Sequence, residues 1–118
     1  MDTRHQRRIK LIQGLFTLSF EGDLAISEKD EAVKLIVKKK KDIDLFIKKY
    51  APRYPLEKIS KIDLAILRLA IYELIFERKN PPKVIIDEAV TLAREFGTER
   101  SYSFVNGVLG SIVKNYEV

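Results

Sequence analysis

Apolar residues along this 118-residue chain recur at intervals of three and four. No strict two-residue alternation stands out between turn residues, so the pattern predicts helices and gives strands little support. A first helix is expected over residues 3–20. Ile9, Ile12, Leu15, Phe16 and then Ser19 or Phe20 form its apolar stripe, and Gln6, Arg7, Lys10, Gln13, Gly14 and Thr17 line the other side. After a short loop at 21–26, Ser27 with Asp30 resembles a capping box. One long helix is then expected to about residue 50, through Val33, Ile36, Ile43, Phe46, Ile47 and Tyr50. Lys38 to Lys41 interrupt its stripe for a turn, and Pro52 and Pro55 end it.

Over residues 56–78 the apolar positions crowd nearly every side, so this helix must be central, with Ile66, Leu69, Ala70 and Leu74 deeply buried. Asn80, Pro81 and Pro82 open the next helix, whose stripe is Ile85, Ala89, Leu92 and Phe96 and which Gly97 is expected to close as the residue after its end. Thr98 is the expected cap of a last helix to about residue 115, with Val105, Val108, Leu109, Ile112 and Tyr116 facing in. Gly107 and Gly110 lie inside it, each costing about 1 kcal/mol against Ala. Close helix-to-helix approach is the expected reason for them. The fold class is therefore all-α, with five to six helices in a single domain over residues 1–118.

Composition narrows the function. With 46% hydrophobic residues the chain can bury a real core, and it has no Cys and one His. That excludes disulfides, thiolate nucleophiles, Cys-based metal sites and clustered imidazoles. No apolar run approaches the roughly 20 residues needed to cross a bilayer, and the first ten residues are polar, so an unexported cytoplasmic protein is expected. The net charge is +5, of which Arg4, Arg7, Arg8 and Lys10 against Asp2 contribute +3 at the N-terminus. A positive pole of this kind suits a polyanion. Together with His5, Gln6 and Gln13, these side chains combine charges, guanidinium forks and amides, as phosphate contact with limited base reading requires. A solvated helix face explains the same composition.

Elsewhere the chemistry is sparse. Lys38 to Lys41 point to all sides of a helix and read as solvated. Asp87 and Glu88 sit about 100° apart in a first helical turn, which suits stabilisation of the helix dipole better than acid–base work. There is no phosphate-cradling Gly loop, and no nucleophile, base and orienting group can be assembled, so no enzyme is expected.

Three stretches, KISKIDLAILRLAIYEL at 58–74, PKVIIDEAVTLAREFG at 82–97 and SFVNGVL at 103–109, closely resemble the bacterial transcription antitermination factor family NusB. RRIKLIQGLF at 7–16 is similar to that family's arginine-rich first helix, although His5 and Gln6 stand where the arginine run is usually denser. The resemblance implies a bundle of two packed helical subdomains and no enzyme activity or cofactor. It implies binding of the single-stranded boxA element of ribosomal RNA leaders. The implied partners are a small-subunit ribosomal protein acting as NusE and the antitermination complex on RNA polymerase; some members form homodimers. On this reading Arg4, His5, Arg7, Arg8, Lys10 and Gln13 contact RNA. Phe104 is either a stacking platform for a base or a core residue, and Arg100 and Ser101 flank it. Glu57, Asp63 and Arg68 are implied to meet the protein partner. Two rival readings are a helical adapter with no RNA role and a domain related to those that precede RNA methyltransferases.

Overall fold

The computed structural model describes residues 3–21, 30–51 and 53–116; Ser27, Pro52 and most of the expected 21–26 loop lie outside them. Six α-helices and no strand are found among the described residues. They are α1 (Thr3–Glu21), α2 (Glu31–Lys38), α3 (Lys40–Tyr50), α4 (Lys61–Ile71), α5 (Pro82–Phe96) and α6 (Ser101–Asn115). A 3₁₀ turn, Leu56–Lys58, precedes α4, and a π-helical segment, Tyr72–Glu77, continues it.

Helix α4 is central because of its composition. Leu64, Ala65, Ile66, Leu67, Leu69, Ala70 and Ile71 are all buried, and the helix packs against α1, α3, α5 and α6. Burying one such Ile or Leu side chain contributes about 1.5–3 kcal/mol. Around α4 a single apolar cluster joins Ile12 and Leu15 of α1, Ile36 of α2, Ile43 and Ile47 of α3, Ile85 and Leu92 of α5, and Leu109 and Ile112 of α6. The Ser60 hydroxyl accepts the Asp63 backbone N–H at 3.2 Å and caps the start of α4.

Several local expectations are corrected. The long second helix is two helices, broken at Lys39 (φ −99°, ψ 6°), whose N–H bonds back to the Ile36 carbonyl at 3.0 Å. The turn lets Val33 and Ile36 on one side and Ile43 and Ile47 on the other all reach the core, while the Lys39 ammonium lies 5.3 Å from the centre of the Phe76 ring. Helix α2 is capped by Asp30, whose carboxylate accepts the Ala32 N–H at 2.9 Å. The 56–78 segment is also divided, with Ile59 extended before α4 and Arg78 left-handed (φ 56°) after the π segment.

The last helix starts at Ser101 rather than beside Thr98. The Thr98 carbonyl accepts the Ser101 N–H at 3.0 Å and the Ser101 hydroxyl accepts the Thr98 N–H at 2.9 Å, forming a turn ahead of the helix. The glycines divide. Gly97 follows the last residue of α5, as expected, in extended backbone (φ −96°), and it is required because a Cβ there would collide with the Ser101 side chain and stand 2.7 Å from the Ala93 carbonyl oxygen. Gly107 and Gly110 face open space, with nothing within 4 Å of an added Cβ. The close approach that was expected of them occurs at Gly14, where a Cβ would lie 3.0 Å from Val33. Phe96 and Tyr116, expected to face in, are exposed, although Tyr116 packs edge-on against Phe46.

These differences predict opposite responses to one substitution. Gly97→Ala should destabilise the fold by about 1–3 kcal/mol through overpacking. Gly107→Ala and Gly110→Ala should each stabilise it by about 0.5–1 kcal/mol, because only helix propensity changes. Urea unfolding of the three variants measures both signs.

Candidate nucleic-acid interface

The polar side chains of α1 divide between two environments. Arg8 turns inward and is buried, with Nε 3.0 Å and Nη2 2.7 Å from the two carboxylate oxygens of Glu73. Its Nη1 lies 3.4 Å from Glu88 Oε1. Hydrogen bonding to Glu73 raises the pKa of the guanidinium against the opposing effect of burial. His5 is half-buried between α5 carboxylates, Nδ1 3.0 Å from Glu88 and Nε2 2.8 Å from Glu95. Arg8 and His5 thus correct the expectation of a row of phosphate-facing residues: both are engaged by carboxylates that bind α1 to the body of the protein.

Arg4, Arg7, Lys10 and Gln13 are exposed, each three residues from the next, so that consecutive members are neighbours on the helix surface. Arg7 grips the α2 cap, with Nη1 2.6 Å and Nη2 2.7 Å from the two Asp30 oxygens. That bidentate contact, followed by the Ala32 N–H, lowers the Asp30 pKa to about 2. Arg4, Arg7 and Arg8 line a cavity of about 290 Å³ with Tyr72, Glu73 and Asn80.

A second cluster forms at the other end of the α4 rod, about 15 Å away for the ten residues from Asp63 to Glu73. Phe104 is half-buried, packed on the core and edge-on to Tyr54, with ring centres 5.5 Å apart and planes at 84°. Both rings line a cavity of about 200 Å³ with Lys58, Ser60, Asp63 and Arg100. Asp63 is 8% exposed, and its Oδ1 has no hydrogen-bond partner among the described residues. A buried acceptor left in that condition costs about 1–3 kcal/mol. The same two rings also line a hollow of about 320 Å³ with Tyr50, Arg53, Ser103 and Gly107.

Arg100 and Phe104 therefore meet, as the sequence led one to expect, but Ser101 does not join them: it is 1% exposed and its hydroxyl closes the turn before α6. Glu57 is exposed in the 3₁₀ turn. Arg68 is half-buried and bidentate to Asp44, at 2.9 and 3.1 Å, an internal ion pair where a partner contact was expected.

The carboxylates Asp30, Asp44, Glu73 and Glu88 were not anticipated as partners of these cations. A usable signal existed for Glu73 alone, a charge on an otherwise apolar central segment that requires a nearby cation. The Arg8–Glu73 pair makes a prediction. Arg8→Ala should cost about 3–5 kcal/mol of stability, because it strands a buried carboxylate, whereas the double change Arg8→Met with Glu73→Leu should recover most of the loss. Urea midpoints of the two variants decide it.

The sequence profile of the NusB family matches residues 23–114. The chain is 33% identical over 98% of its length to the transcription antitermination protein NusB of Finegoldia magna, covering 96% of that protein. It is 36% identical over 96% of its length to the protein of the same name from Chloroflexus aggregans, covering 88% of it. A 48% identical stretch matches the NusB of Caldicellulosiruptor saccharolyticus over 68% of this chain and 61% of that protein. Among solved structures, the NusB of T. maritima superimposes with a TM-score of 0.86 at 33% identity, covering 99% of this chain and 94% of that one. A chain from the crystal structure of a plectonemic RNA supercoil reaches a TM-score of 0.83 at 24% identity, a likeness of fold alone. Sequence and architecture agree, and the chain belongs to the NusB family of transcription antitermination proteins, which are not enzymes.

Proposed function

We propose that this protein is an antitermination factor that binds single-stranded boxA-type RNA of ribosomal RNA leaders together with a small-subunit ribosomal protein acting as NusE, within the antitermination complex on RNA polymerase. Its place of action is the cytoplasm. Among the described residues no helix is long and apolar enough to cross a membrane. The observation that carries the reading is the half-buried Phe104, edge-on to Tyr54 and flanked by Arg100 and Lys58, an aromatic platform beside cations. Single-stranded RNA is held by that combination, bases stacking on rings and phosphates meeting charges.

In this proposal Arg4, Arg7, Lys10 and Gln13 run along the phosphates from one end of α4, and Arg100 and Phe104 take a base at the other. Arg8 and His5 hold α1 in place, and Ser101 holds the start of α6. Asp63, with Glu57 on the turn before it, receives a donor from the basic protein partner; the unsatisfied Asp63 oxygen supports this role. Arg68 acts through Asp44 to secure α3 on α4.

The test is titration of the protein with a boxA-type oligonucleotide at several salt concentrations. Each phosphate contact on a single strand contributes about 0.7 to the slope of log K against log salt. Replacing Arg4, Arg7 and Lys10 by Gln should therefore flatten the slope by about 2, and an unchanged slope removes those side chains from the RNA. Phe104→Leu should weaken binding by about 1–3 kcal/mol at unchanged slope, because packing is largely kept while the stacking face is lost. Asp63→Asn should leave binding of RNA alone unaltered and weaken only the joint complex with the ribosomal protein. RNA binding that fails at every salt concentration would favour the adapter reading.

A further inference from the structure

His5 stands between two carboxylates on a helix other than its own. Nδ1 is 3.0 Å from Glu88 Oε1 and Nε2 is 2.8 Å from Glu95 Oε1. A neutral imidazole carries one N–H, so only one of these contacts can then be a hydrogen bond; the imidazolium satisfies both. The same Glu88 oxygen lies 3.4 Å from Arg8, which is paired in turn with Glu73 of the π segment. A chain of contacts therefore runs from Glu95 through His5, Glu88 and Arg8 to Glu73 and links α1, α5 and the end of the α4 rod.

The charge balance of this chain depends on the imidazole. The charged groups around His5 and its partners are Glu88 and Glu95 from α5, Glu73 from the π segment and Arg8 along α1, with Arg4 and Glu77 lining the cavity that Arg8 and Glu73 share. Within the bonded chain, three carboxylates meet one guanidinium when His5 is neutral. When it is protonated they meet two cations. The hydrogen bond to Glu88, helped by the charges of Glu88 and Glu95 and opposed by desolvation, raises the imidazole pKa above 6.5.

We infer that His5 is a positioning residue that clamps the first turns of α1 onto α5 when protonated and releases them when neutral, so that presentation of the exposed Arg4, Arg7 and Lys10 face is pH-dependent. The two-sided contact that makes the clamp is geometric, its pH range follows from the held pKa, and its effect on RNA rests on the function proposed above. The sign follows from the raised pKa. Anchorage is complete below the ordinary value of 6.5 and is lost as pH rises through the held value.

The chain has one His, so its ring protons can be followed by NMR without ambiguity. The ring should titrate above 6.5 in the wild type, with a lower midpoint in Glu95→Gln. Amide exchange at residues 7–10, which bond the carbonyls of the first turn, reports the opening of α1. After correction for intrinsic rates, the opening constant should rise by up to about tenfold per pH unit between the ordinary and the held pKa, then level off. His5→Arg, permanently charged, should give a flat profile, and His5→Gln should exchange fast throughout. Affinity for a boxA-type oligonucleotide should fall over the same interval in the wild type and stay level in His5→Arg. A ring midpoint at or below 6.5, or a His5→Arg exchange profile identical to the wild type, overturns the clamp. If ring and exchange behave as stated while the oligonucleotide fails to bind at any pH, the RNA reading is overturned and the clamp stands.

Discussion

The position of α1 depends on the burial of a carboxylate. Glu73 lies on the α4 rod, the most apolar part of the chain, and is buried there. An isolated charge in that setting is untenable, and the Arg8 guanidinium answers it with two hydrogen bonds. Because the fork of Arg8 must reach that one place, the rotation of α1 about its own axis is set. Ile12 and Leu15 then enter the core, while Arg4, Arg7 and Lys10 are left outside. The division of one basic helix into an inner cation and an outer row follows from where a single acidic residue is buried.

The other acidic residue of α4 contrasts with it. Asp63 is nearly as buried as Glu73, but its Oδ1 has no partner among the described residues and it borders a cavity with Lys58 and Arg100. One carboxylate is paired within the chain and the other retains an open acceptor. Ion pairing inside a protein secures a helix; an acceptor kept waiting beside a cavity is suited to an arriving donor. The two ends of one rod thus differ: the charge at Glu73 is paired within the chain and anchors α1, whereas Asp63 keeps an open acceptor, as the proposed partner contact requires.

The sequence pattern was sufficient for α1 and α5 and for the central place of α4, though not for its bounds, because burial of a continuous face outweighs local detail. It was insufficient where a backbone break preserves the stripe, as at Lys39, since the residues on both sides keep helical spacing. Glycines show a related limit: spacing reveals that a side chain is missing but not what stands opposite, which is Ser101 at Gly97 and open space at Gly107. For the candidate site, the clustering of cations on α1 and the meeting of Arg100 with Phe104 were legible. The inward turn of Arg8 and His5 was not, because their partners are 65 to 90 residues away in sequence and no local pattern encodes such a pairing.

The Arg7–Asp30 contact also bears on selectivity. A carboxylate presents two oxygens to a guanidinium in nearly the geometry that a phosphate does, so Asp30 occupies the fork of Arg7 as a built-in substitute for a nucleic-acid backbone. An incoming phosphate must displace it, and the displaced Asp30 keeps its bond to the Ala32 N–H and goes on capping α2. Isolated anions gain little from such an exchange of one acceptor for another. If the α1 row meets RNA as proposed, a polyanion that engages Arg4 and Lys10 in the same event does gain, and the internal competitor would then act as a threshold that favours long, regularly charged ligands over abundant small ones.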